Sequence, residues 1–164
     1  MMSEREWTDH PLIEGATLEH AELIIQRAVT EAACLISGNL AKGLEACSPI
    51  SQMVGLYQLR RAHDGIRIAR DRALLVGVAG AEGWHDGYAC SPATGLYTRF
   101  DLSGPALDDA LAEGTSADLA AGSPSAAVVF AGLTCLLSRN ETGAELWVET
   151  AFTTYMTTWF ARRQ

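Results

Sequence analysis

The tightest constraint on this chain is a change of hydrophobic period close to its C-terminus. Residues 126–137 and 144–149 are apolar runs on either side of Asn140-Glu141-Thr142-Gly143, which predicts a hairpin with Gly132 as a bulge in its longer strand. Beyond it Phe152, Tyr155, Met156, Trp159 and Phe160 recur at i, i+3, i+4, i+7 and i+8, the spacing of one apolar face on a helix. A helix with such a face must pack on something.

Upstream, residues 96–102 read as a strand. Ser103-Gly104-Pro105 then supplies an N-cap at Ser103 or Gly104 and a proline near the first helical position. A short amphipathic helix follows, with Leu107, Ala110 and Leu111 on one face, Asp108 and Asp109 at its positive end, and Gly114 to close it. Residues 72–78 form a nearly continuous apolar run, the mark of a buried strand, and a loop follows over 80–87. Residues 56–62 and 66–69 flank Asp64-Gly65, which predicts a tight hairpin. Residues 40–46 suit a short helix ending before Ser48-Pro49. Residues 23–36 fit either a helix or two strands broken near Thr30, and propensity favours the helix. Residues 1–17 carry Pro11 and Gly15 without any period and read as a partly ordered arm, leaving 18–164 as a single domain. No β-α-β period repeats, so the fold class is α+β, antiparallel strands with short helices.

Charge narrows the partners. Twelve Lys and Arg against twenty Asp and Glu leave a net charge of -8, which disfavours binding to phosphate backbones or to an anionic membrane surface. No apolar run approaches the roughly 20 residues of a membrane span, and the N-terminus lacks the basic-then-apolar order of a signal peptide, so the expectation is a cytoplasmic protein. Cys34, Cys47, Cys90 and Cys135 lie far apart in sequence with no CxxC pair, which predicts reduced, buried thiols and no metal site.

Few motifs carry chemistry. Gly77, Gly80 and Gly83 are spaced GxxGxxG with no helix behind them, so they read as a surface loop and not as a dinucleotide site. Neither Ser91-Pro92 nor Ser103-Gly104 fits the GxSxG nucleophile turn. The Tyr155, Trp159 and Phe160 stripe could stack a pterin but is accounted for by a core or a subunit interface. His63-Asp64-Gly65 and His85-Asp86-Gly87 are copies of one tripeptide whose His-Asp pairs could supply a metal site or an acid and base couple, but an Asp-Gly turn accounts for each. The second copy also gathers Trp84, Tyr88 and Cys90. If the chain moves protons on its own, His85, Asp86 and Tyr88 are the groups placed to do so.

Taken in order, Arg99-Phe-Asp-Leu-Ser-Gly-Pro105, the stretch ALDDALAEGTSADL over 106–119, the strand over 126–137, Leu146-Trp-Val148 and AFTTYMTTWF over 151–160 resemble the gamma subunit of heterotetrameric sarcosine oxidase. GIRIARDRALLVG over 65–77 resembles that family's preceding strand pair more loosely, and an alignment extended further upstream would make 23–38 two strands. The resemblance implies a fold similar to the folate-binding aminomethyltransferase-like domain. It implies an accessory, non-catalytic subunit, with no cofactor in this chain and with flavin and tetrahydrofolate in larger oxidase subunits that act on an N-methyl amine. Where the family has Lys-Gly-Cys and Arg-Ser-Phe, this chain has Glu113-Gly114-Thr115 and Thr150-Ala151-Phe152, so two basic contacts are lost. Aromatics free to meet a partner would be Trp84, Tyr88 and Trp147. The alternatives are a free-standing folate-dependent transferase using the loop from Trp84 to Cys90, and a homo-oligomeric scaffold domain.

Overall fold

The computed structural model describes residues 12–163; residues 1–11, most of the expected arm, lie outside the described residues. The elements are β1 (Thr17–His20), β2 (Leu23–Arg27), β3 (Ala33–Gly38), α1 (Leu40–Cys47), β4 (Met53–Val54), β5 (Gly65–Ala69), β6 (Arg72–Val76), β7 (Gly83–Trp84), β8 (Tyr88–Pro92), β9 (Tyr97–Ser103), α2 (Leu107–Gly114), β10 (Ala127–Phe130), β11 (Leu133–Arg139), β12 (Ala144–Glu149) and α3 (Thr153–Ala161). The architecture is mixed α+β, mostly antiparallel, with three short helices.

Two six-stranded sheets stack face to face. The first runs β1-β2-β9-β12-β11-β10 and the second β4-β5-β6-β3-β8-β7, with β4 and β5 as the one parallel pair among these strands. Strand alternation divides the core into three layers. Phe100, Leu102, Leu146, Val148 and Leu137 point from the first sheet toward α2 and α3, where Ala110, Leu111, Met156 and Phe160 meet them. Trp147 and Leu136, on the opposite face, pack against Val54, Ile66, Leu74 and Val76 of the second sheet. Ala73 and Leu75 point the other way, with Cys34, Ile36 and Cys90, under α1 and its Leu40 and Leu44. The apolar run in β6 is continuous because both of its faces are covered.

Several expectations are corrected. Residues 23–36 form no helix: Leu23 and Ile25 are buried while Ile24 and Gln26 are not, so β2 alternates, and β3 then enters the other sheet. Asp64-Gly65 makes no hairpin. The Asp64 carboxylate accepts from the Gln52 and Arg61 backbone N–H groups, both at 2.9 Å, and Gly65 opens a strand that pairs with β4 and β6. Residues 57–60 instead run beside the end of β11, where Tyr57 N donates to the Leu137 carbonyl and Arg60 N to that of Arg139, each at 2.8 Å. Gly132 is not a bulge. Ala131 and Gly132 have φ of 49° and 81° and turn the chain back, splitting the expected long strand into β10 and β11. The cap of α2 is Ala106, two residues past Gly104, with no side-chain bond. On α3 the buried face is Thr153, Met156, Thr157 and Phe160, while Phe152 and Tyr155 stand at its margin.

Candidate functional site

On β12 the residues Glu145 and Trp147 turn away from the helical layer and into the space between the sheets. The second sheet covers the Trp147 end of this layer. At the other end a charged network takes over, assembled from segments remote in sequence.

Arg60 arrives on the segment that runs beside β11. Its Nε and Nη2 donate to the two Glu145 carboxylate oxygens at 2.6 and 3.0 Å, a two-pronged ion pair that leaves only 3% and 6% of the side chains exposed. Ser138 Oγ donates to the same carboxylate at 3.0 Å, and Arg60 Nη1 donates to the Arg61 and Ala62 carbonyls. Arg99 on β9 donates to Glu31 at 2.9 Å and to Asp101 at 3.3 Å. Arg99 Nε also lies 3.1 Å from Asp101 Oδ1, but out of line for a hydrogen bond, so the pair is coulombic. The Arg60 and Arg99 guanidinium groups stand 5.3 and 5.4 Å from the centre of the Trp147 ring. Burial pushes the Asp101 carboxyl above its ordinary value, against the pull of Arg99.

This network opens outward as a groove of about 660 Å³ lined by Arg60, Arg61, Arg99, Glu145, Asn140 and Glu31. Further in, a cavity of about 30 Å³ is bordered by Arg27, Arg99 and Trp147, and each of these carries a buried N–H with no partner. That is room for a water molecule or two. The arginine and indole N–H groups can bind and orient acceptor groups, and the carboxylates can accept from donors.

The second expected locus is the loop that holds Trp84. His85 Nε2 is 2.7 Å from the Ala81 carbonyl, and the ring stacks on Tyr88 at 4.8 Å. Asp86 pairs with Lys42 at 2.6 Å, out in solvent. The turn thus ties His85 and Asp86 to different partners, and Tyr88 is buried under α1, its phenol pushed up in pKa by that burial. Trp84 is 76% exposed on β7, at one margin of the second sheet. Trp147 is not an uncovered aromatic: it does alternate away from Leu146 and Val148, but a second sheet stands opposite and leaves it 5% exposed. His63 is exposed and takes no part in either locus.

Sequence reasoning missed Arg60, Arg99 and Glu145, which carry no local signature. It also placed the cysteines apart, whereas Cys34, Cys47 and Cys90 bring their sulfurs within 4.8 Å of one another behind the Trp84 loop. Burial, with the neighbouring thiols, pushes Cys90 up to about 12 and raises Cys47.

No protein-family model matches the chain, and no curated protein matches it. Among solved structures, it is similar to a chain of the heterotetrameric sarcosine oxidase from Corynebacterium sp. U-96 in complex with pyrrole 2-carboxylate. The likeness covers 92% of both chains with a TM-score of 0.61 and 13% sequence identity. The two share a fold. No helix among the described residues is long and apolar enough to cross a membrane.

Proposed function

We propose that this chain is an accessory, non-catalytic subunit of the gamma type in an oxidase complex that acts on an N-methyl amine, with flavin and tetrahydrofolate held by larger partner chains in the cytoplasm. One observation carries the reading: the likeness in fold to a chain of the heterotetrameric sarcosine oxidase spans 92% of both chains. The Trp84 loop supports it, because His85 and Asp86 are engaged separately and make no coupled acid and base. Trp84 itself, exposed on a two-residue strand at the sheet margin, is an aromatic of the kind that anchors interfaces.

The test is co-expression with the larger, flavin-binding subunits of an oxidase of this heterotetrameric type. The chain should co-purify with them in fixed ratio, and by itself it should be colourless. A chain that ignores those subunits, binds tetrahydrofolate alone and loses turnover on His85→Ala would be the free-standing transferase instead.

A further inference from the structure

Three of the four cysteines converge on the outer face of the second sheet. Cys34 comes from β3, Cys90 from β8 and Cys47 is the last residue of α1. In the β3/β8 register Cys34 lies opposite Pro92 and Cys90 opposite Ile36, which makes the two thiols diagonal neighbours on one face. The end of α1 then lowers Cys47 onto them, and all three sulfurs fall within 4.8 Å of one another. Zinc bonded to thiolates at about 2.3 Å holds its sulfurs roughly 3.8–4.0 Å apart, so the cluster is within about an ångström of a ligand triangle.

The loop at Gly80 passes close over the cluster. A Cβ at Gly80 would stand 2.5 Å from the Cys90 sulfur and 3.2 Å from those of Cys34 and Cys47. The backbone at Gly80 therefore lies directly over the triangle, and glycine is the residue that keeps it clear. A disulfide is a poor account of three thiols, since any pairing strands one. Cys135 sits in the separate core under α2 and α3 and provides a comparison within the same chain.

We propose that Cys34, Cys47 and Cys90 bind one soft divalent cation, zinc in the first instance, through three thiolates, with the fourth position left to a small exogenous ligand. Binding releases the thiol protons to solvent and changes no oxidation state. A divalent ion leaves three thiolates with one net negative charge and a monovalent ion leaves two. Among Ile36, Leu40 and Leu75 the smaller charge costs less to bury. The site needs neither the cleft between the sheets nor an oxidase partner, so its test is independent of the proposed function.

The experiment uses the full chain, reduced and stripped of metal, titrated with cobalt(II). One equivalent should bring up thiolate-to-cobalt charge-transfer absorption in the near ultraviolet, and one equivalent of zinc(II) should abolish it. Cys47 ends its helix and is partly exposed, so Cys47→Ser should leave the circular dichroism unchanged; since changes to groups that merely orient the ligands already cost about 10–100-fold, loss of this direct ligand should weaken zinc binding by about a hundredfold or more. Cys135→Ser should bind as the parent does. The proposal is overturned if the reduced chain shows no charge-transfer band, if Cys47→Ser binds with undiminished affinity, or if Cys135→Ser loses binding. A disulfide among the three, found by alkylation and mass spectrometry without reductant, would also overturn it.

Discussion

The Arg60 and Glu145 pair offers the sharpest test of the reasoning about the cleft. Both side chains are almost wholly buried, and each carboxylate oxygen accepts from the guanidinium, at 2.6 and 3.0 Å. Truncating Arg60 to methionine leaves Glu145 charged, desolvated and held by Ser138 alone, and removes one of the two cations over Trp147. Breaking a buried pair from one side costs about 3–5 kcal/mol. In a domain of this size that lowers the thermal midpoint by roughly 6–20 °C, at about 2–4 °C per kcal/mol. Glu145→Leu should cost a similar amount by stranding the guanidinium. Because desolvation drives both losses, replacing the two together should restore most of the stability, and the double variant should fall within about 2 kcal/mol of the parent. Urea unfolding of the four proteins, with m-values compared to confirm the same denatured state, closes the cycle. A double variant that costs the sum of the singles, or an Arg60→Met change under about 1 kcal/mol, would refute the assignment of this pair as a desolvated, mutually dependent unit.

Three further outcomes follow from particular contacts. Gly114→Ala would drive a Cβ to 2.2 Å from the Phe130 ring, which is fully buried and has nowhere to yield, so urea unfolding should show a loss of about 1–3 kcal/mol. Asp101 has a folded-state pKa raised by burial, so above that pKa its charge opposes folding, and below the ordinary value of 3.8 both states are protonated and the effect disappears. Asp101→Asn should therefore raise the urea midpoint at neutral pH, with the gain shrinking as pH falls through the raised pKa; a gain that grows toward acid would contradict this. In a complex with oxidase subunits, Trp84→Ala should weaken association by about 2 kcal/mol or more, roughly thirtyfold in Kd by calorimetry, without altering the chain's own melting.

How far the fold could be read from sequence depended on where each pattern was resolved. α1, α2, α3, β6, β9 and β12 declared themselves through period and caps, because each buries one face, or two, against neighbours that make the pattern local. The segment over 23–36 did not, since β2 pairs with β9 some seventy-five residues on and β3 pairs with β6 and β8 in the other sheet. Helix propensity has nothing to say about such pairings, and tertiary contact overrode it. Asp64-Gly65 misled for a related reason: the aspartate satisfies one backbone donor of its own loop, at Arg61, and one just before β4, at Gln52, a turn chemistry indistinguishable in sequence from a hairpin.

The sites were less legible than the fold, and the cause is topological. Arg60, Arg99 and Glu145 are ordinary surface residues by type, and only the crossing of residues 57–60 beside β11 carries Arg60 to β12 and turns the pair inward. The inner face of the first sheet runs from Leu136 and Trp147, under the second sheet, to Ser138, Glu145 and Asp101 beyond its cover. Charge there must be matched within the chain or by something that docks at the groove. Arg60 and Glu145 match one another, whereas Arg27, Arg99 and Trp147 keep N–H groups unspent around the small cavity. The cysteines make the same point from the other sheet: Cys34, Cys47 and Cys90 have no spacing that signals a site, and it takes a strand register, a helix end and a bare glycine to bring them together. A motif is a site only where one element supplies all of its groups; where three elements supply one each, the signal exists in the packing and nowhere in the string.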